Sequence, residues 1–349
     1  MKRMLTARAP GKVVLLGEYA VLHGAPGLVM AVDRFAETTI CTHPGHVCVS
    51  SGHKTSPDIF SELDPYFGFV RRVIEASAPD LHDAAITVDT SAFSDLKTGI
   101  KLGIGSSAAL MVATAKAVEE YVGALVREKK SDCCGSSVGA VREPPVFSWR
   151  QLIALHQAEQ NHRGSGMDVV ASYFGGIRSV QWHGDDVTIS DDLAWPQNLH
   201  AVYIWPQESS NTATRLEKFH WACSENPKQM MPVVRDLCAL AEEGLAAWAE
   251  GDINRFISIV DSYSSMLCRL GDLMDLPMLT PGHARARKLA HYCGGVYKPS
   301  GAGGGDLGMA WFADRDACDK FRILIAQENH LVDLDLHKAQ AGVSVVAGA

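Results

Sequence analysis

The amino-acid sequence predicts a mixed α and β fold (α+β class) divided into two domains, and three observations support that prediction. The chain has 349 residues, which is enough for one large domain or two moderate ones. Short apolar runs typical of strands alternate with longer segments whose apolar residues recur at helical spacing. A predicted strand over 201–206 ends in a proline and is followed by three helical segments, so the pattern changes there. We expect domains at 1–198 and 199–349.

Composition excludes several classes of protein. Apolar residues make up 47% of the chain and charged residues 21%, which is ordinary for a globular protein and excludes a disordered chain or a coiled-coil rod. The net charge of −8 argues against a surface that binds nucleic acid. No window reaches the roughly 18 apolar residues of a membrane-spanning helix. The basic start of the chain lacks the apolar segment of a signal peptide. We therefore expect neither nucleic acid nor a membrane as a partner.

The cysteines indicate a reducing compartment. The chain has nine of them, an odd number, and they form no Cys-x-x-Cys pair. This pattern favours neither a zinc ribbon nor a disulfide scaffold. We expect a cytoplasmic protein with free thiols.

The strands are predicted from apolar runs and from alternation. Residues 13–16 are four consecutive apolar residues, which favours a buried strand over 12–17. Residues 85–90 alternate between apolar and polar, as in a strand with one buried face. The same signals predict further strands at 201–206, 308–313 and 331–336.

The helices are predicted where apolar residues recur every three or four positions. A helix begins near Ser107, and a Ser-x-x-Gln capping box at 148–151 and a Thr-Pro pair at 280–281 mark two later helix starts. The stretch 129–147 contains Gly-Ser-Ser and Pro-Pro, and we expect a surface excursion there. Helices are predicted at 110–127, 149–161, 227–250, 252–270, 281–292 and 316–328.

The strongest local motif is Gly-Ile-Gly-Ser-Ser-Ala-Ala at 103–109, which leads into the first long helix. Glycines let the backbone approach a ligand closely, and successive N–H groups at a helix N-terminus form an anion site. The two serine hydroxyls add donors or a metal ligand. The motif is neither a Walker loop, because no Gly-Lys-Ser/Thr follows, nor a dinucleotide fingerprint. It indicates either a phosphate site or a simple helix cap.

Two further glycine-rich segments and one lysine are candidates for the same site. Residues 298–306 read Lys-Pro-Ser-Gly-Ala-Gly-Gly-Gly-Asp, and so many glycines cost backbone entropy on folding. Because this segment lies between a predicted helix and a predicted strand, we favour a functional turn over a linker. Asp168 follows Gly-Ser-Gly-Met and is an N-cap, a residue that acts on a substrate, or both. Lys12 begins a buried strand, which is a costly place for an ammonium unless it meets an anion.

Three segments, at 9–22, 103–109 and 298–306, resemble the three motifs of the GHMP kinases, and we call them the first, second and third segments. Residues 9–22, which read APGKVVLLGEYAVL, are similar to the first motif of that family. Residues 103–109 are similar to its phosphate-binding second motif, and residues 298–306 to its third. They occur in the order of the family and span nearly the whole chain.

Some details are most similar to the phosphomevalonate kinase branch of the family. These are the Glu-Tyr pair at 18–19, the segment Gly-Ser-Gly-Met-Asp-Val at 164–169 and the intact third motif. Met167 and Leu307 depart from the residues that are common in that branch, an aromatic residue and a cysteine.

The resemblance implies a fold and a reaction. The fold is an N-terminal ribosomal-S5-like domain and a C-terminal ferredoxin-like domain, with the active site in the cleft between them. The reaction is transfer of a phosphoryl group from ATP to 5-phosphomevalonate, with Mg²⁺ as cofactor. The partners are then small molecules, and the protein is a monomer or a homodimer.

The resemblance also implies roles for particular residues. Lys12 and Asp168 are expected to be catalytic, and Ser107 to contact Mg²⁺. The residues expected to bind ATP are Gly103, Ile104, Gly105, Ser106, Ser107 and Ala108. Those expected to bind the acceptor are Lys101, Arg163, Ser165, Ser300, Gly301, Ala302 and Gly303.

Other residues have two interpretations on the sequence alone. Lys97, like Lys101 and Arg163, is either a cation for the acceptor phosphate or a solvated surface charge. The polar residues after the strand at 201–206 either cap the next helix or hold substrate oxygens; they are Ser209, Ser210, Thr212 and Arg215.

Three alternative functions stay open at this point. One is mevalonate kinase or another GHMP kinase with a small acceptor. Another is an ATP-dependent decarboxylase of the mevalonate type, against which the intact third motif argues. The last is a catalytically silent homologue that senses ligands, against which the presence of Lys12, Ser107 and Asp168 argues.

Overall fold

A long antiparallel pair of strands organises the first part of the chain. The computed structural model describes residues 4–52, 54–59, 67–132, 146–159 and 164–346. Strand β1 (Met4–Leu16) pairs with β2 (Gly27–Thr42). The register shifts between Pro10 and Gly11 and again between Val14 and Leu16. Such irregularities bend a strand, and these two flank the segment that carries Lys12.

Within the described residues, eight strands form this first sheet. Their order is β12-β1-β2-β5-β3-β4, with β6 added to β2 and β7 added to β6. The β3–β5 pair is parallel, and the other pairs are antiparallel. The remaining strands are β3 (Cys48–Ser51), β4 (Lys54–Ser56), β5 (Ala84–Asp89), β6 (Ile177–His183), β7 (Asp186–Ile189) and β12 (Ser344–Val346).

Helices cover one face of the first sheet. Two of them, α2 and α4, pack on β1 and β2 through small and β-branched residues such as Ala108, Val112 and Val169. These residues bury the apolar face of β1 and β2 and fix both helix N-termini over the same end of β1. The helices are α1 (Gly68–Ser77), α2 (Ser106–Asp132), α3 (Trp149–Glu159) and α4 (Met167–Phe174).

A smaller antiparallel sheet follows in the chain. Its order is β11-β8-β10-β9. The strands are β8 (His200–Trp205), β9 (Val296–Pro299), β10 (Gly308–Phe312) and β11 (Val332–Leu334). The helices around it are α5 (Thr212–Glu225), α6 (Pro227–Glu250), α7 (Ile253–Leu273), α8 (Pro281–Tyr292) and α9 (Arg315–Ile325).

The two faces of the smaller sheet contact different helices, because successive side chains of a strand point to opposite sides. Ala310 and Phe312 pack with residues of α8 and α9. Met309 and Trp311 pack with residues of α6 and α7. The α6–α7 side also contacts the first sheet, since Leu16 belongs to the same apolar cluster as Leu237 of α6. The two sheets therefore share one buried core.

We keep the division at 198/199 as a proposal for the domain boundary. It is supported by β8, which begins at His200 and is the first strand of the smaller sheet. The last described strand, β12, returns to pair with β1 in the first sheet. The second part of the chain thus contributes one strand to the first part.

The structure confirms most of the predicted elements and adds others. The predicted helices correspond to α2, α3, α6, α7, α8 and α9. Helix α2 continues to Asp132, so the start of the surface excursion predicted at 129–147 is helical instead. Residues 133–145 of that stretch lie outside the described part of the chain, and so do residues 160–161 at the predicted end of α3. The elements that were not predicted are β2, β3, β4, β6, β7, β9, β12, α1, α4 and α5.

A search of the helices in the described residues finds none that is both long enough and apolar enough to cross a membrane.

Candidate active site

A cavity of about 740 Å³ lies where loops from both parts of the chain meet. Its walls come from the end of β1 and the 3₁₀ turn after it (Ala20–His23), the loop before α2, the loop before α4, the segment before α5 and the loop after β9. The cavity therefore brings together the first, second and third segments and the loop before α4, which are far apart in the sequence.

Lys12 lies between the second and third glycine-rich segments. Its backbone N–H donates to the carbonyl oxygen of Ile104 at 2.8 Å. A Cβ atom placed on Gly105 would come within 2.9 Å of Lys12 Cγ, and one placed on Gly301 would lie 3.8 Å from Lys12 Nζ. The stem of the lysine therefore packs on one loop while its ammonium reaches the other.

Gly103 has to be glycine for two reasons. Its φ of +76° lies in the left-handed region that other residues rarely adopt. A Cβ atom there would also lie only 2.2 Å from the Cβ of Asp306. Because Gly103 has no side chain, the second segment can pack directly against the end of the third.

The third segment is tied to the first by two side-chain hydroxyls. Ser300 Oγ accepts from the N–H of Val14 and donates to the carbonyl oxygen of the same residue, both at 3.0 Å. The hydroxyl of Tyr19 donates to the carbonyl oxygen of Ala302 at 2.7 Å. Burial raises the pKa of Tyr19 to about 12, so this hydroxyl keeps its proton and stays a donor near neutral pH.

A buried ion pair lies directly beneath this junction. Glu18 is 3% exposed and Lys298 is fully buried. Lys298 Nζ donates to Glu18 Oε1 and, at 2.9 Å, to the carbonyl oxygen of Pro299. The N–H of Gly301 also donates to Glu18 Oε1, at 3.3 Å. Burial lowers the pKa of Lys298, and the charge of Glu18 opposes that shift.

Asp306 and Arg215 hold the outer end of the third segment. The N–H of Ser210 donates to Asp306 Oδ1 at 3.0 Å. Burial raises the pKa of Asp306, against the opposing effects of this hydrogen bond and of Lys12. The buried guanidinium of Arg215 donates to Ser210 Oγ at 3.1 Å and to the carbonyl oxygen of Pro277 at 2.9 Å. Gly304 packs against the guanidinium, because a Cβ atom there would lie 1.4 Å from Arg215 Nη2.

A buried histidine supports the same segment from behind. His283 Nε2 donates to the carbonyl oxygen of Gly305 at 3.0 Å, and the hydroxyl of Tyr297 donates to His283 Nδ1 at 2.6 Å. Burial lowers the pKa of His283 to about 4. The imidazole is therefore neutral at pH 7, as a group with one donor and one acceptor must be to make both hydrogen bonds.

Asp168 and Ser107 face the cavity from the first turns of α4 and α2. Asp168 is not an N-cap, because Gly166 holds that position in α4. Behind them, His156 of α3 is fully buried. His156 Nε2 lies 3.3 Å from Ser107 Oγ, and His156 Nδ1 lies 3.9 Å from Asp168 Oδ1.

Most of the residues that the sequence analysis selected line this cavity. Ala108 does not, because it is buried inside α2. Ser300 and Gly303 do not either, because Ser300 is bonded to Val14 and Gly303 packs on Met278. Arg163 lies outside the described residues, and Lys97 lies on an exposed turn. The residues that do line the cavity are Lys12, Lys101, Gly103, Ile104, Gly105, Ser106, Ser107, Ser165, Asp168, Gly301 and Ala302.

None of the four polar residues that the sequence offered as caps, Ser209, Ser210, Thr212 and Arg215, is the N-cap of α5. Asn211 caps α5 by accepting from the N–H of Thr214. Ser209, Ser210 and Thr212 line the cavity. Arg215 is buried behind the third segment and is absent from the cavity lining formed by the described residues.

Sequence reasoning missed His156 and the pairing of Glu18 with Lys298. A signal for His156 was present, since it lies on the same helical face as the buried residues Leu152 and Ile153. For the ion pair, nothing local joins two residues that are 280 positions apart.

The cavity residues fit a magnesium ion that arrives with a nucleotide. The described residues contain no cluster of three or more His, Cys, Asp or Glu side chains that could hold a metal alone. Mg²⁺ bound with substrate phosphates needs only one or two protein oxygens, because phosphates and water supply the others. The hydroxyl of Ser107 and the carboxylate of Asp168, both on the cavity wall, are oxygen ligands of that kind.

Comparisons with known proteins agree with this arrangement. No family model matches the chain. It is 27% identical to the phosphomevalonate kinase of Streptomyces sp. (strain CL190), over 88% of this chain and 90% of that protein. It is 24% identical to the mevalonate kinase of Aeropyrum pernix, over 78% of each chain. The solved structure of Streptococcus pneumoniae phosphomevalonate kinase, in complex with phosphomevalonate and AMPPNP, has the same fold, with a TM-score of 0.71 and 18% identity over 97% of this chain and 100% of that one.

The solved structures define the fold of this chain, which is the fold of the GHMP kinases. Its sequence resembles that of a phosphomevalonate kinase over most of both chains.

The buried ion pair generates a prediction about stability. Replacing Lys298 with methionine keeps the aliphatic stem but leaves the carboxylate of Glu18 buried without its partner, which costs about 3–5 kcal/mol. Urea unfolding of Lys298→Met should show this loss. The matched control is Lys338→Met, whose ammonium pairs with Asp192 near the surface at 3.3 Å and should cost at most about 1 kcal/mol. Equal losses in the two variants would contradict the role assigned to burial.

The burial of His283 generates a prediction about pH. Its pKa falls from 6.5 to about 4 on folding, so between these values the unfolded chain binds more protons. The corresponding stability is present above pH 6.5 and is lost as the pH falls through 4, by about 3 kcal/mol in total. His283→Gln keeps a donor for Gly305 but does not titrate, so its unfolding free energy should fall less steeply over this range.

The measurement is urea unfolding at a series of pH values from 7.5 to about 4. His330→Gln, on the surface, controls for the loss of one histidine. Parallel profiles for the wild type and His283→Gln would show that His283 does not cause the acid sensitivity.

Proposed function

We propose that this chain is an ATP-dependent kinase that phosphorylates (R)-5-phosphomevalonate to 5-diphosphomevalonate in the mevalonate pathway. The observation that carries the proposal is its likeness, over 88% of the chain, to a phosphomevalonate kinase. The cavity supports it, since a lysine, a carboxylate and a glycine-rich helix N-terminus face one space there. We further propose that the protein works in the cytoplasm as a monomer or homodimer.

The reaction is difficult mainly because two anions must approach each other. The γ-phosphate of ATP and the acceptor phosphate have to come within about 3–3.5 Å for transfer. At an effective dielectric constant of about 20, two like unit charges 4 Å apart repel by roughly 4 kcal/mol. In this proposal Lys12 offsets that repulsion, because its ammonium lies between the loop that would hold ATP and the loop that would contact the acceptor.

The loop before α2 suits the phosphates of ATP. Gly103 and Gly105 have positive φ angles, which lets the backbone amides of 103–107 turn toward the cavity at the start of a helix. Such amides and the helix dipole stabilise phosphate charge. Ser107 and Asp168 would hold Mg²⁺, which when bound neutralises the charge that develops on the transferring group.

The opposite part of the cavity suits the acceptor. Lys101 is a cation on the cavity wall, and Ser165, Gly301 and Ala302 line the same space. An acceptor phosphate has a second pKa of about 6, so it is already mostly dianionic at pH 7 and needs no general base. Asp168 would therefore orient the metal or Lys12 in this reaction more than it would remove a proton. An alcohol acceptor would instead require it as a base.

A second candidate is mevalonate kinase. It is favoured by the alignment with the Aeropyrum pernix mevalonate kinase, which also spans most of both chains. The two candidates differ in the acceptor group, a phosphate or a hydroxyl.

The direct test is ADP release, measured with a coupled assay on 5-phosphomevalonate and on mevalonate. We expect kcat/KM to be at least about 100-fold higher for 5-phosphomevalonate, because the acceptor phosphate supplies both the nucleophile and a charge for Lys101 to bind. A preference for mevalonate would replace the proposal with the second candidate. No turnover of either acceptor would favour a ligand-sensing homologue.

Variants of the two proposed catalytic residues test the mechanism. Lys12→Met and Asp168→Ala should each lower kcat by about 100-fold or more, since each removes a charge that acts on the transferring group. Their unfolding midpoints should stay close to that of the wild type, because both side chains line the cavity. Lys228→Met, at an exposed position in α6, is the control for loss of a lysine. Near-normal turnover of Asp168→Ala would remove that residue from the mechanism.

A further inference from the structure

His156 is a buried polar residue that makes no contact with the cavity itself. It is fully buried in α3, and its ring stacks on that of Phe69, with centroids 5.6 Å apart and planes 22° apart. Each of its two ring nitrogens lies near a residue of the candidate active site. Nε2 is within hydrogen-bond distance of Ser107 Oγ, and Nδ1 lies 3.9 Å from Asp168 Oδ1. His156 thus connects the two oxygen groups that would hold Mg²⁺.

Packing alone does not explain a histidine at this position. Its Nδ1 is buried without a hydrogen-bond partner among the described residues, and such a group costs stability. A phenylalanine would stack on Phe69 equally well without that cost. Filling space therefore does not account for the two ring nitrogens, and both of them point toward residues of the candidate site.

One tautomer of His156 suits both neighbouring groups. An ionised carboxylate only accepts, so the arrangement that suits Asp168 has a proton on His156 Nδ1. A neutral imidazole with that proton has Nε2 as an acceptor, and the hydroxyl of Ser107 must then be the donor across the 3.3 Å contact. The single proton of Ser107 is thereby directed away from the cavity. Both lone pairs of its oxygen remain available on the cavity side.

We propose that His156 is a positioning residue that orients the Ser107 hydroxyl, and through Nδ1 the Asp168 carboxylate, as oxygen ligands for the magnesium–nucleotide complex. This inference rests on the proposed function to the extent that it requires a magnesium nucleotide in the cavity, but it does not depend on the acceptor. A neighbouring contact supports it, since Gln157 on the same helix holds the loop before α4 by donating to the carbonyl oxygen of Gly164 at 2.8 Å. Residues behind a metal ligand typically change metal affinity by about 10- to 100-fold when they are replaced.

The test measures binding of AMPPNP, a non-hydrolysable ATP analogue, by calorimetry at a series of Mg²⁺ concentrations, so no turnover is needed. His156→Phe keeps the ring stack but removes both nitrogens, and the Mg²⁺ needed for half-maximal binding should rise about 10-fold or more. His156→Gln places an amide near the position of Nε2 and should recover most of this loss. His156→Asn places its amide near Nδ1 instead and should recover much less.

A double-variant cycle separates orientation of Ser107 from a general structural effect. If His156 acts mainly through the serine, His156→Phe should have little further effect on Mg²⁺ dependence in a Ser107→Ala background. Wild-type Mg²⁺ dependence in His156→Phe, or full additivity in the double variant, would overturn the proposal. If His156→Phe does not fold, the test rests on His156→Gln and His156→Asn. AMPPNP binding by His156→Asn at Mg²⁺ concentrations as low as, or lower than, those that His156→Gln needs would overturn the proposal.

The same measurements distinguish this inference from the proposed function. If the wild-type protein binds Mg²⁺–AMPPNP but does not turn over 5-phosphomevalonate, the proposed acceptor is wrong. The role of His156 is then decided by the Mg²⁺ dependence of AMPPNP binding in the double-variant cycle. Wild-type protein whose AMPPNP binding is independent of Mg²⁺ would refute the role of His156 itself.

Discussion

The cavity depends above all on the buried pair of Glu18 and Lys298. Glu18 follows β1 and Lys298 lies in β9, and their contact joins the two sheets at the place where the first and third segments meet. Charges are buried only when they are paired, so separating the two segments would expose or strand both groups. The other contacts at the junction are backbone-directed hydrogen bonds, from Ser300 to Val14 and from Tyr19 to Ala302. Together, the ion pair and these hydrogen bonds hold the first and third segments in contact beneath the site.

For binding an anion in this cavity, the positions of the charged groups matter more than the net charge of the chain. The chain carries a net charge of −8, and the cavity lining places Lys12, Lys101 and the start of α2 beside three carboxylates, which are Glu18, Asp168 and Asp306. Two glycines make this close arrangement possible. The backbone at Gly103 packs against Asp306, and the backbone at Gly105 packs against the stem of Lys12, at distances that leave no room for a Cβ atom. In the proposed function, the two lysines and the N-terminus of α2 are the groups that offset the charge of the phosphates. His156 and His283 are buried behind the loops, outside this charged surface, and each has a ring nitrogen within hydrogen-bond distance of a loop or helix-start residue.

Much of this arrangement could be predicted from the sequence, and the limits have physical causes. Helices with strong periodicity, such as α6 and α7, and the three glycine-rich segments were evident because their signals are local. Strand β2 was missed because it is buried along much of its length and shows little alternation, and β12 because its partner β1 lies more than 300 residues away. Most of the residues predicted on the motifs line the cavity, whereas Ser300 and Gly303 hold the loop itself, which only the packing around Val14 and Met278 reveals. His156 is one of 14 histidines, and its spacing alone did not distinguish it.

The most direct test of the central claim is a crystal structure of the wild-type protein with AMPPNP, Mg²⁺ and 5-phosphomevalonate. We expect the triphosphate to lie along the amides of 103–107, with Lys12 Nζ within about 3 Å of an oxygen of the terminal phosphate. The acceptor phosphate should lie on the other side of Lys12. Nucleotide bound away from the three glycine-rich segments, or phosphates that leave Lys12 without an anionic partner, would contradict the claim that this cavity brings a triphosphate and a second anion together.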